Sequence, residues 1–191
     1  MTTGVKNFIE ENIELLDRED YQEFDARAGM QTSDNGYSKG ELYEVLLRAG
    51  INPLPYLPFV PFGFLRETTL EGSFTVPGNC IDVASRAFYN CSLSEIIFEE
   101  GVMSIGALGC ARSDKLEKVY IPSSMLNLGN VIFVGCNNMR EIIYNGTYEE
   151  FQKLYTPTSN PQPWFGTITS LTKTSCILKC RDQDISLRID I

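Results

Sequence analysis

Three short stretches of the chain alternate apolar and polar positions in the same way. Leu93-Ser94-Glu95-Ile96-Ile97-Phe98, Leu116-Glu117-Lys118-Val119-Tyr120-Ile121 and Met139-Arg140-Glu141-Ile142-Ile143-Tyr144 all read L-x-x-I-x-I in kind, each starting 23 residues after the last. Alternation with a period of two is the mark of a strand with one buried face. A fainter copy precedes them at Phe74, Val76 and Pro77, and Pro122 matches that proline in a later copy. Between the strands a second pattern recurs: Val83-Ala84 with Ala87-Phe88 and Cys91, then Ile105-Gly106 with Ala107-Leu108 and Cys110, then Leu128-Gly129 with Ile132-Phe133 and Cys136. In this alignment the three cysteines fall at equivalent places, the middle unit being shortened before Cys110 and lengthened after it. A unit this short cannot bury its own anchors, so the units must stack, strand beside strand, into a parallel-sheet solenoid. The three cysteines are then expected to be buried, as small apolar residues.

The flanks read differently. Val5, Phe8, Ile9, Ile13 and Leu16 recur at helical spacing, and a second short helix carries Tyr21 and Phe24. A third helix starts near Ser38 as N-cap, places Leu42, Val45 and Leu46 on one face, and ends at Gly50. Pro53, Pro55, Pro58 and Pro61 fall within nine residues and preclude a regular helix or a central strand there. Their neighbours Leu54, Tyr56, Leu57, Phe59, Val60, Phe62 and Phe64 argue for a packed cap, which a solenoid needs at its apolar end. The expected organisation is a helical, proline-rich N-terminal cap over 1–70, repeats over 71–147, and a C-terminal capping helix, loop and strands over 148–191.

The repeat pattern resembles the BspA-type leucine-rich repeats, whose unit reads roughly L-x-x-I-x-I-P-x-x-V-x-x-I-G-x-x-A-F-x-x-C, over about residues 70–147. The tail resembles that family's closing segments. Ile143-Tyr144-Asn145-Gly146-Thr147 followed by Glu150-Phe151 is similar to "Y-x-G-T-x-x-x-W" with Phe151 in the tryptophan's place. Cys180-Arg181-Asp182-Gln183-Asp184-Ile185 is similar to "C-T-D-G-x-I" without its glycine. The resemblance implies an α/β fold: a short leucine-rich-repeat solenoid with one parallel strand per 23-residue unit, a helical N-terminal cap and a small C-terminal β cap. The opening F-I-E-E-N-I-E-L-L and the later L-L-R-A-G-I-N-P-L also resemble short leucine-rich-repeat proteins of tailed bacteriophages, which implies a biological setting and no activity.

Composition narrows the chemistry. The 191 residues include six cysteines and no histidine. Without histidine every Ser-His-Asp or Cys-His arrangement is excluded, and a zinc site would need four thiolates. No phosphate-loop, nucleophile-elbow or H-E-x-x-H motif is present, so no catalytic residue, metal or cofactor is expected. The first residues lead into an acid-rich helical pattern and not an apolar signal core, so the expected location is the cytoplasm of a bacterial host, with no membrane span. The net charge is −9; residues 1–70 carry six Lys/Arg against twelve Asp/Glu, and 71–191 carry ten against thirteen. That balance disfavours direct nucleic-acid binding and points to a protein partner.

Two candidate surfaces follow. If Leu93, Ile96 and Phe98 and their equivalents face inward, the intervening residues face the concave surface. One outward row reads Thr75, Ile97, Tyr120 and Ile143, and the row beside it reads Ser73, Glu95, Lys118 and Glu141. An apolar-aromatic stripe beside charges has the character of an interaction hot spot, although such residues also simply suit strands. The alternative surface is the acidic run Glu10, Glu11, Glu14, Asp17, Glu19, Asp20, Glu23 and Asp25. These carboxylates are either a solvated helix face or an imitation of a phosphate track, offered to a basic nucleic-acid-binding host protein.

Overall fold

The computed structural model describes residues 39–48, 50–154 and 176–187. The helices expected over 5–16 and 21–24, and the N-cap Ser38, lie outside the described residues.

The repeated L-x-x-I-x-I motifs form the broad wall of a β-solenoid. Strands β2 (Ser73–Val76), β4 (Glu95–Phe98), β6 (Lys118–Ile121) and β8 (Glu141–Tyr144) lie parallel, one per turn. Strand β9 (Cys176–Lys179) adds to β8 in parallel, and β10 (Asp184–Leu187) closes the sheet as an antiparallel hairpin, in the order β10-β9-β8-β6-β4-β2. Burial alternates along every repeat strand. Phe74, Ile96, Val119 and Ile142 stack in register inside, as do Val76, Phe98, Ile121 and Tyr144.

A second, narrow sheet forms the opposite wall from two-residue strands: β1 (Phe59–Val60), β3 (Asp82–Val83), β5 (Ser104–Ile105) and β7 (Asn127–Leu128), all parallel. Each contributes one buried side chain, Val60, Val83, Ile105 or Leu128. The I-G dipeptide of the repeat has a steric reason here: a Cβ on Gly129 would fall 2.5 Å from the backbone nitrogen of Ala107 in the turn below. The narrow sheet begins at β1, inside the stretch read from sequence as the cap.

The segments that climb from the narrow to the broad sheet are tight turns bounded by left-handed residues. Gly63, Arg86, Leu108 and Val131 open them and Glu67, Asn90, Arg112 and Gly135 close them, with φ from 49° to 77°. Left-handed backbone costs a non-glycine residue about 1–2 kcal/mol. Stacked backbone bonds offset that cost, among them Leu65 N–H to Ala87 O (2.7 Å), Phe88 N–H to Gly109 O (2.8 Å) and Cys110 N–H to Ile132 O (3.1 Å).

This ladder corrects the cysteine alignment. Cys110 stands where Phe88 and Phe133 stand in their turns, and the place of Cys91 and Cys136 is taken by Ser113. The middle unit therefore reads Ile105-Gly106 with Gly109-Cys110 and Ser113, without slippage, and it is the first unit that is one residue shorter, between Cys91 and Leu93. Ser113 keeps the polar role of that place: its hydroxyl donates to Phe88 O at 2.8 Å and accepts from Cys91 N–H at 3.2 Å. All three cysteines are buried, as expected. Burial pushes the Cys136 thiol up to about 12 and raises Cys91 and Cys110 as well, so none offers a reactive thiolate near neutrality.

Both ends are closed by side chains. Helix α1 (Lys39–Arg48) ends in a Schellman turn at Gly50, with φ 77° and with Gly50 N–H on Leu47 O and Ile51 N–H on Leu46 O, both 2.9 Å. It sets Tyr43 against Phe64, ring centroids 4.7 Å apart, and packs Leu46 and Leu47 on the core; the side chains of Leu42 and Val45 lie outside the described residues. The proline-rich stretch forms a 3-10 turn at Leu54–Tyr56 and the edge strand β1. At the other end, helix α2 (Tyr148–Lys153) starts with a capping box: Glu150 N–H donates to Thr147 Oγ1 (3.2 Å), and Thr147 N–H donates to Glu150 Oε2 (2.7 Å). Phe151 is buried against Tyr144, and Leu154 O accepts from Leu128 N–H at 2.9 Å, which seats the helix end on β7.

Candidate interaction face on the broad sheet

The outward rows expected from the sequence are in register across the broad sheet. Thr75, Ile97, Tyr120 and Ile143 face one another strand to strand, and β9 extends the row with Lys179. Ser73, Glu95, Lys118 and Glu141 form the neighbouring row, which Ile177 extends. Ile97, Tyr120 and Ile143 are half-buried, as outward side chains on adjacent strands about 5 Å apart cover one another.

The charged row closes on itself. Glu141 bridges two lysines, with Lys179 Nζ on Oε1 at 2.5 Å and Lys118 Nζ on Oε2 at 3.3 Å. Lys179 first and Lys118 second hold the Glu141 carboxyl below its usual range, and Glu141 in turn raises Lys118. Lys118 also sits 6.0 Å from the Tyr120 ring centroid, inside cation–π range. These charges are committed to neighbours on the same face, so they fix the surroundings of Tyr120 more than they await a partner.

At the C-terminal ends of the strands the face runs into a groove of 410 Å³. Its lining includes Tyr120, Ile143, Pro122, Tyr144, Lys179 and Arg181. One rim is pinned by Glu100, whose carboxylate accepts from Ser123 N–H (3.0 Å), Ser124 N–H (3.1 Å) and Asn145 Nδ2 (2.8 Å). The other rim is held by Arg181, whose N–H donates to Gly146 O at 2.9 Å. Sequence reasoning missed the groove. Its second wall comes from β9 and Arg181, more than thirty residues beyond β8, and only the terminal C-x-D-x-x-I signature hinted at a strand there.

The alternative candidates Glu10, Glu11, Glu14, Asp17, Asp20 and Glu23 all lie outside the described residues. Among the described residues no three His, Cys, Asp or Glu side chains are grouped to hold a metal ion, and no helix is long and apolar enough to cross a membrane.

Parallel strands in register, one per turn, with I-G and aromatic anchors in the connecting turns, define a leucine-rich-repeat solenoid. The family model of the BspA type leucine rich repeat region matches residues 64–155 in six copies, so this stretch is similar to repeat regions of that type. Such repeats generally mediate protein–protein interaction and are typically non-enzymatic. No curated protein and no solved structure matches the chain.

Proposed function

We propose that the protein is a non-catalytic binding module, an adaptor or inhibitor that engages a host protein through the outer face of the broad sheet. The supporting observation is the row Ile97–Tyr120–Ile143, in register on three adjacent strands and continuous with the groove. Apolar-aromatic side chains held in place by neighbours lose little conformational entropy on binding, which is what makes hot spots of such residues. The paired Lys118, Glu141 and Lys179 beside them orient the encounter, while Tyr120 supplies affinity. A phage- or bacterium-encoded protein acting in the bacterial cytoplasm suits this reading.

A second reading rests on the uneven charge, twelve Asp/Glu against six Lys/Arg in residues 1–70. On that reading the acidic N-terminal run acts as a decoy for a basic, nucleic-acid-binding host protein. One experiment separates the two: capture from lysate of the natural host, with wild type, Tyr120→Ala, and a Glu14→Lys/Asp17→Lys/Asp20→Lys variant. Loss of the captured protein with Tyr120→Ala alone supports the broad-sheet face. Loss with the charge reversal alone overturns it in favour of the decoy, whose wild-type binding should also weaken steeply with salt.

A further inference from the structure

The bend between β8 and helix α2 is an asparagine followed by a glycine, Asn145-Gly146. The glycine is there for steric reasons. A Cβ on Gly146 would fall 2.4 Å from Cε1 of Tyr144, whose ring is buried against Phe151. The asparagine is there for its amide. Asn145 is exposed, and its Nδ2 donates to Glu100 Oε1 at 2.8 Å across the rim of the groove. Packing thus calls for glycine and the rim for an amide in adjacent positions. Among the described residues no other asparagine precedes a glycine.

That pair is chemically labile. An asparagine side chain closes into a five-membered imide when the next peptide nitrogen attacks its amide carbon. A glycine leaves that nitrogen unshielded by a Cβ. Among the described residues the Gly146 N–H donates to no acceptor, and the bend lies outside both β8 and helix α2, so no ladder or helical bond occupies it. Two bonds oppose the closure: the one from Nδ2 to Glu100, and the one from Asn145 N–H to Ile121 O at 2.9 Å. A hydrogen bond to a charged acceptor on an exposed rim slows such a rearrangement about tenfold, which delays the reaction without preventing it.

We propose that Asn145 is a site of spontaneous deamidation, and that its conversion releases the rim of the groove. The Gly146 nitrogen gives its proton to solvent base and attacks Asn145 Cγ. The N–Cγ bond forms, the Cγ–Nδ2 bond breaks, and Nδ2 takes a proton from water and leaves as ammonia. Water then opens the imide at either carbonyl to give aspartate or isoaspartate, and nothing is oxidised or reduced. Both products put a carboxylate where the amide donor stood. It faces Glu100, whose own carboxyl is held down to about 2 and is therefore charged, so an attraction becomes a repulsion. Isoaspartate also lengthens the backbone between two bonds of 2.9 Å, Asn145 N–H to Ile121 O and Arg181 N–H to Gly146 O. Those bonds join the ends of β6 and β8 to the C-terminal hairpin, so the groove loses a wall. The effect on partner binding rests on the broad-sheet reading; the deamidation does not.

The test ages the full-length chain at mildly alkaline pH and follows each asparagine by peptide mass spectrometry, with isoaspartate detected by enzymatic methylation. Asn35, which precedes Gly36 outside the described residues, serves as the internal clock, and incubation runs until it has converted. By then Asn145 should have lost its amide, while the exposed Asn138, which precedes Met139, should keep it. Asn145→Gln, which keeps an amide but closes only through a larger ring, should stay intact at that position. Asn145→Asp supplies one product directly and should lower the thermal midpoint by about 2–4 °C. An Asn145 amide retained at the end of the incubation, or converted no further than Asn138, would overturn the site. An unchanged midpoint in Asn145→Asp would overturn the release of the rim. If the midpoint falls and the captured partner is still held, the broad-sheet reading fails and the deamidation stands.

Discussion

The two sheets are built from the same turns in the same register, yet they present opposite surfaces. On the broad sheet, four-residue strands give two outward rows: Ile97, Tyr120 and Ile143 shelter one another, and Lys118, Glu141 and Lys179 pair beside them. On the narrow sheet, two-residue strands leave an outer row of Pro58, Ile81, Met103 and Leu126, joined turn to turn by backbone bonds of 2.7–2.9 Å. There Ile81 is 48% and Leu126 65% exposed, so the residues of this row cover one another less than those of the broad sheet do. Apolar side chains outside a solenoid therefore mean different things on its two walls. On the broad wall they belong to a covered surface with paired charges beside it; on the narrow wall they form one row left more open to water, and exposed apolar residues are common on protein surfaces.

The interior should dominate the energetics of both walls. Phe88 is fully buried, with its ring 6.1, 6.0 and 6.1 Å from those of Phe64, Phe74 and Phe98, where the cap meets the first turns. Phe88→Ala should cost about 3–5 kcal/mol of folding stability by urea denaturation. A loss under about 1 kcal/mol would mean that the cap and the first turns do not share one core.

Tyr120→Ala should show the reverse balance. It should weaken partner binding by about 2 kcal/mol while costing under about 1 kcal/mol of stability, since the ring is only half-buried. If stability falls as far as binding does, Tyr120 is structural and the contrast between the walls collapses. The C-terminal cap joins the walls, through Leu154 on β7 and Arg181 on Gly146. Removing its capping box with Thr147→Ala should cost about 1 kcal/mol. An unchanged thermal midpoint would show that helix α2 does not support that junction.

A pH titration sharpens the comparison on the broad sheet's rim. Burial pushes the Glu100 carboxyl up, but hydrogen bonds from Ser123, Asn145 and Ser124 outweigh it and bring it down to about 2, against an ordinary value of 4.5. A folded-state value below the unfolded one adds stability above about pH 4.5, and that stability fades as the pH falls toward 2. Wild type should therefore exceed Glu100→Gln in stability at pH 7, and the gap should narrow through this window. A gap independent of pH would remove Glu100 as the pin between these turns.

The fold was legible because its signal is a period. Strand positions, inward residues and both outward rows follow from L-x-x-I-x-I spacing alone, and Gly50 marks the end of helix α1 through local chemistry. The error in the middle unit came from aligning cysteine with cysteine. Residue identity misled there because Ser113 fills the Cys91 place by its hydroxyl, and a thiol fills the Phe88 place by its apolarity. The groove was invisible for another reason: its second wall needs β9, far along the chain.

The smallest expected effect tests the narrow wall itself. Leu126 is 65% exposed at the end of its row, where Leu126 N–H donates to Met103 O and the side chain has little apolar surface to cover. Leu126→Lys keeps that backbone bond and moves an apolar group out of water, so stability should shift by under about 0.5 kcal/mol. Placing the lysine at Ile97 instead should disturb a covered row flanked by the half-buried Glu95 and Tyr120, and should weaken partner binding. Partner binding unaffected by Leu126→Lys and reduced by Ile97→Lys would uphold the division of roles between the walls. The opposite ranking would move the interaction face to the narrow sheet, because a surface without neighbours to lose can matter only through what binds it.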